Sequence, residues 1–194
     1  MHDHVRQQVD IVERALAKIG KVQRPVPFTY AAWGLVGTVF NLAYAPWQLI
    51  AAHQDAFFLL GDILTVAAVA ITGIEYFRAT MDRRTAMDVQ SLATFGLVAN
   101  VLWIVKIPLM ASGAVSGLAY GFIYSMGIAI ALVVHGAGPT RPLMYGGIFL
   151  LGATVFASMH VQYASYAFSI GNFVALVVPA LYLAFAARHV DAHG

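Results

Sequence analysis

The chain has 194 residues, of which 60% are hydrophobic and only 10% charged, with mean hydropathy +0.76. Average soluble domains carry about 25% charged residues, and so short a chain cannot bury this much apolar surface away from water, so a water-soluble fold is excluded. The absence of cysteine excludes disulfides, thiolate metal sites, thiol redox chemistry and c-type haem attachment, and a net charge of +2 is too mild for a nucleic-acid partner.

Residues 1–24 are polar and basic. Val5, Val9, Val12, Leu16 and Ile19 recur at helical steps and share one face, while Arg6, Arg14, Lys18, Lys21 and Arg24 lie mostly on the others. This pattern predicts an amphipathic helix lying on the cytoplasmic membrane face, held by its apolar stripe and by anionic lipid. A short oligomerising coiled coil is the second reading. His2-Asp3-His4 reads as a disordered terminus rather than a metal site. Arg24-Pro25-Val26-Pro27 ends the helix, because proline fixes its own φ and disfavours helix in the residue before it.

Six apolar stretches follow, at 28–51, 56–77, 91–111, 116–135, 142–159 and 164–187. Each approaches the roughly 20 residues that a helix needs to cross a hydrocarbon core about 30 Å thick. The expected fold is therefore all-α: a six-helix transmembrane domain over 28–187 and a short tail over 188–194. Ten of the eleven Lys and Arg fall before the first stretch, in the second and fourth connections, or in the tail. The positive-inside rule makes that side cytoplasmic, with both termini inside, in an inner (plasma) membrane of bacterial type.

A faint internal repeat supports three similar helical hairpins. Trp33 to Phe40 resembles Phe95 to Leu102 and Phe149 to Phe156, and the even stretches carry Leu60-Gly61-Asp62, Tyr120-Gly121-Phe122 and Ile170-Gly171-Asn172.

The eleventh basic residue, Lys106, lies inside the third stretch. A charge there costs several kcal/mol unless it snorkels, pairs or lines a wet cavity. Asp62 and Asn172 fall at a similar depth, in the outer half of the membrane. The functional reading is a polar pocket open to the outside: Lys106 supplies positive charge, Asp62 its counter-ion and Asn172 hydrogen bonds. Tyr44, Trp47 and Tyr120 would wall it. The structural reading is that Lys106 snorkels to headgroups, Asp62 caps or pairs, and the aromatics, with Tyr163 and Tyr166, form an interfacial belt.

His53, Asp55 and His160 sit just above that level and are weak metal candidates, since no HxxxH, HxH or ExxH spacing occurs within a span. Glu75 has Arg78 three residues on, which predicts a local ion pair. His135 and His160 lie at opposite sides, which argues against a haem between them. Gly117-x-x-x-Gly121 fits close helix packing, within the bundle or between copies. Pro46, Pro108 and Pro179 are expected to kink their helices. Nothing resembles a Walker loop, a nucleophile elbow, HExxH or a dinucleotide fingerprint. No residue pattern names a cofactor or an enzymatic activity.

Two function classes follow. The chain binds or translocates a small molecule or ion at the Asp62–Lys106–Asn172 pocket. Alternatively it is a structural or assembly subunit that docks partner helices or further copies through glycine-rich faces.

Overall fold

The computed structural model describes residues 27–81, 95, 98–99, 101–102, 104–106, 108–109, 111–114, 116–136 and 141–191. The amphipathic helix expected over 1–24, and with it Arg83 and Arg84, lies outside the described residues. Seven α-helices are traced end to end: α1 (Pro27–Ala43), α2 (Gln48–Ala52), α3 (Gln54–Met81), α4 (Gly117–His135), α5 (Arg141–Met159), α6 (Ala164–Asn172) and α7 (Val178–Asp191). The described residues of 95–111 are helical as well.

The first apolar stretch is not one continuous helix. α1 stops at Ala43, where Tyr44 N–H and Ala45 N–H fold back onto the carbonyls of Asn41 and Leu42. Pro46 explains the break: it has no N–H to continue the ladder and disfavours helix at Ala45. α2 then runs for five residues. The Gln54 side-chain amide donates to Ala43 O at 3.2 Å, so the elbow between α2 and α3 is tied back to the end of α1.

Later boundaries match local signals. Ser116 caps α4, its Oγ accepting from Ala119 N–H at 3.2 Å. Pro142 sits in the first turn of α5, where a missing N–H costs nothing. Gly113 between the third stretch and α4 has φ +69°, the left-handed region that glycine adopts without strain.

The last stretch is one rod with a wide turn in it. A 3-10 turn (Val161–Tyr163) leads into α6, and a π turn (Phe173–Val177) joins α6 to α7. Pro179 accounts for the π turn, because it cannot donate to the carbonyl of Ala175 four residues back. That carbonyl faces α5 at Gly146, where any Cβ would collide with it. Gly34 of α1 meets the same turn from the other side, its missing Cβ making room for Leu176 and Val177. Two glycines thus seat the irregular turn between two helices.

α1 packs along α3 on one flank and along α6 and the π turn on the other; α5 packs on both α4 and α6. The helical residues of 95–111 bridge α1 to α4: Phe95 stacks on Tyr30, with ring centroids 4.6 Å apart, and Leu102 fills the space beside Gly127. Phe40 lies on Gly61 and Leu150 on Gly171, so the first and last hairpins share one packing device at the same sequence separation. This register matches Leu150, rather than Phe156, with Phe40, six positions from the alignment read off the sequence.

Trp33, Phe95, Ile128, Leu132, Leu143, Leu150, Phe168 and Leu176 are fully buried. The outside is apolar too: Val66 is 72% exposed and Met159 73%, with Leu59, Leu60, Ile63, Ile104 and Val134 also facing out. Among the described residues, four helical segments are long and apolar enough to cross a membrane: Gln54–Arg78, Gly117–Val134, Arg141–Met159 and Val161–Phe185. An apolar exterior on such helices is the signature of a multi-pass membrane protein.

Candidate functional site

Two buried polar clusters lie along α1, one at each end. At the Thr29 end, Glu75 of α3 reaches the first turn of α1. One carboxylate oxygen accepts from Thr29 N–H at 2.9 Å and from Thr29 Oγ1 at 2.5 Å. The first turn of a helix carries N–H groups without intrahelical partners and a positive dipole end, so a carboxylate there satisfies both. The expected Glu75–Arg78 pair is therefore corrected: Arg78 is exposed, and Glu75 turns inward to a partner on another helix. One turn further along, Trp33 Nε1 donates to Thr72 Oγ1 at 3.0 Å, and Thr72 donates on to Ala68 O at 2.7 Å.

At the Tyr44 end, Phe40 forms a platform. One side rests on Gly61, where a Cβ would stand 2.7 Å from the ring. Lys106 Nζ lies 3.6 Å from the ring centroid, inside the range at which a ring face attracts a cation. Around the ammonium is a cavity of about 20 Å³. Val36, Gly37, Phe40, Asn41 and Tyr44 line it from one face of α1; Gly117, Tyr120, Gly121 and Tyr124 line it from one face of α4. Both sets recur at steps of three and four, the spacing at which helical side chains share a face.

Hydrogen bonds hold the walls. Asn41 Nδ2 donates to Gly37 O at 2.6 Å, which leaves its Oδ1 turned toward Gly121. Tyr120 donates to Leu102 O, and Tyr124 to Trp33 O at 3.4 Å. The Tyr44 ring meets Phe58 edge-on at 5.2 Å and occupies the space over Gly117 that a Cβ would need. Gly117 and Gly121 thus admit Tyr44 and Asn41 from within the same chain.

Of the six residues expected at the site, the structure brings together Lys106, Tyr44 and Tyr120. Asp62 lies beside the site on α3, exposed, yet near enough for its charge to act on Lys106. Trp47 stands beyond the end of α1, 56% exposed, and does not line the cavity. Asn172 is fully buried behind the wall: its Nδ2 donates to Phe168 O at 2.8 Å and to Ser125 Oγ at 3.4 Å. Its Oδ1 has no hydrogen-bond partner and packs against Gly37, so it does not reach the cavity.

Phe40, Asn41 and Tyr124 are the site residues that sequence reasoning passed over. The clue was the shared helical face, Gly37–Asn41–Tyr44 on α1 and Tyr120–Tyr124 on α4, rather than membrane depth.

Among the described residues no three His, Asp or Glu side chains gather as metal ligands. The His53 ring nitrogen Nδ1 lies 3.0 Å from Leu49 O within its own turn, and His160 stacks on Phe156 with centroids 4.8 Å apart. Comparison with protein-family models, curated proteins and solved structures finds no match to this chain.

Proposed function

We propose that this is a six-span protein of the inner membrane, with both termini cytoplasmic, that binds or translocates a small molecule or ion at the Lys106 cavity. One observation carries the reading: a cation is held over an aromatic ring beside a cavity between helices, with hydroxyl and amide groups in its walls. A lysine inside an apolar helix is costly to retain and marks function by default. The one-sided distribution of the other ten basic residues supports six spans and this orientation. The pocket is redrawn from the sequence reading: Lys106, Phe40, Asn41, Tyr44, Tyr120 and Tyr124 form it, Asp62 acts from its rim, and Asn172 supports the wall.

A second reading has its own support. Small-molecule sites usually enclose about 300–1,000 Å³, and this cavity of about 20 Å³ has room for about one water. So small a cavity suits an assembly subunit without a substrate, docked through its apolar exterior.

Native mass spectrometry from lipid nanodiscs separates the two. The binding reading expects a small adduct on the wild type that Lys106→Ala and Asp62→Ala lose while still folding. Equal spectra for all three, with a fixed larger assembly, would favour the subunit.

A further inference from the structure

We propose that the groove between α1 and α6 binds one acyl chain of an ester-linked phospholipid, with Tyr166 taking the ester carbonyl. The site shares no lining residue with the Lys106 cavity.

The groove has a volume of about 210 Å³ and is lined by Thr38 and Leu42 of α1, by Tyr166, Ser169 and Ile170 of α6, and by Phe173 of the π turn. A reciprocal exchange fixes its walls. Ser169 Oγ donates to Thr38 O at 2.6 Å, while Thr38 Oγ1 donates to Gly34 O at 2.7 Å and to Ser169 O at 3.3 Å. Each helix thus ties a hydroxyl to the other's backbone. The groove is formed before a guest arrives, which lowers the ordering cost of binding. The exchange also spends both hydroxyl protons on carbonyls. What remains for a guest is carbon surface and one side-chain donor, Tyr166, whose hydroxyl makes no hydrogen bond among the described residues.

What covers the groove follows from where it opens. Ile170 is 58% and Phe173 41% exposed, both on Val161–Phe185, one of the segments able to cross a membrane. The groove is therefore continuous with the lipid-facing exterior, where hydrocarbon is the solvent. Its two ends are ordered as a lipid is. Tyr166 lies near the start of that segment, and Phe173 stands about 10 Å further along the helix axis. Tyrosine suits the level where headgroups meet chains, since it has an apolar ring and a polar tip. An ester carbonyl accepts a hydrogen bond, brings no proton of its own and heads a hydrocarbon chain. A partner helix fits less well. Membrane helices approach through small residues, but bulky Leu42, Tyr166, Ile170 and Phe173 surround this groove. Gly34, Gly37 and Gly171 turn away from it, toward Leu176, Asn172 and Leu150.

Native mass spectrometry of the full chain in detergent tests this, by titration with a diester phosphatidylglycerol and with its diether analogue of equal chain length. The diester is expected to saturate at one lipid per chain. The diether should bind about threefold more weakly, the weight of one modest hydrogen bond. Tyr166→Phe should bring the diester down to the diether level and leave the diether unchanged. Leu42→Trp, which fills the groove, should weaken both about tenfold. If Leu42→Trp does not fold, the Tyr166→Phe comparison carries the test alone. Lipid adducts that never saturate, with one distribution for wild type and both variants, would mean bulk coating and overturn the site. A paired chain that Leu42→Trp splits would overturn the lipid in favour of a second copy. Displacement of the diester by an equimolar isoprenoid quinone would overturn the ester assignment.

Discussion

The two ends of α1 hold polar groups against different neighbours, α3 at the Thr29 end and α4 with Lys106 at the Tyr44 end. At the Thr29 end one carboxylate oxygen meets an N–H and a hydroxyl, an indole N–H meets a hydroxyl, and that hydroxyl meets a carbonyl. The pairing is closed, and such a closed set works as a clasp. At the Tyr44 end the Asn41 amide and the Tyr120 hydroxyl donate to backbone carbonyls, and the Lys106 ammonium lies over the Phe40 ring beside a cavity. The contrast is between a carboxylate spent on the first turn of a helix and an ammonium that lies beside a cavity. Glu75 and Lys106 are both ionisable and both lie on apolar helices; Glu75 is bonded to Thr29, whereas Lys106 lines a cavity.

The sharpest way to break this contrast is to remove the clasp. Glu75→Ala strips two acceptor contacts from Thr29 and is expected to cost about 3 kcal/mol, since charged hydrogen bonds contribute roughly 1.5–3 kcal/mol each and caps about 1. Glu75→Gln keeps an accepting oxygen and should cost about 1 kcal/mol. Unfolding in detergent measures both, and an unchanged Glu75→Ala would mean that the clasp is not holding α1 to α3.

Next in size is a packing control away from both ends. Gly146→Ala drives a methyl into the Ala175 carbonyl, and overpacking of this kind costs about 1–3 kcal/mol. Gly152→Ala meets nothing within 4 Å and should be neutral to within about 0.5 kcal/mol. Equal effects would show that the π turn yields to α5 and is not wedged against it.

Trp33→Phe removes the indole donor to Thr72 and is expected to cost about 1 kcal/mol by the same unfolding assay. At the other end, Tyr124→Phe gives up only a long bond to Trp33 O and should cost about 0.5 kcal/mol. Under the proposed binding role its larger consequence falls on the ligand, because Tyr124 lines the cavity. A stability loss at Tyr124 exceeding that at Trp33 would reverse the roles assigned to the two clusters.

Much of the helix layout was legible in the chain. The expected stretches 116–135 and 142–159 lie within one residue of Gly117–His135 and Arg141–Met159, because a serine cap and a first-turn proline act on their immediate neighbours. The site was half legible. Membrane depth grouped Lys106 with Tyr44 and Tyr120, which line one cavity, but depth is one coordinate. It also admitted Asn172, which faces Gly37 from behind the wall, and Trp47, which lies past the break at Pro46. It missed Asn41 and Tyr124, whose membership depends on which faces of α1 and α4 confront each other.

Composition and hydropathy alone determined that this chain lives in lipid and is built of helices, since the free energy of placing apolar and charged groups in a bilayer depends on residue type and run length. Helix ends followed from local caps and prolines for the same reason. Only the tertiary structure decided that Glu75 joins Thr29, 46 residues away, and that Lys106 lies over Phe40. Those pairings arise from helix rotation and approach, which glycines at 34, 61, 121 and 146 set through contacts distant in sequence. No local pattern encodes a rotation that exists only when two helices meet.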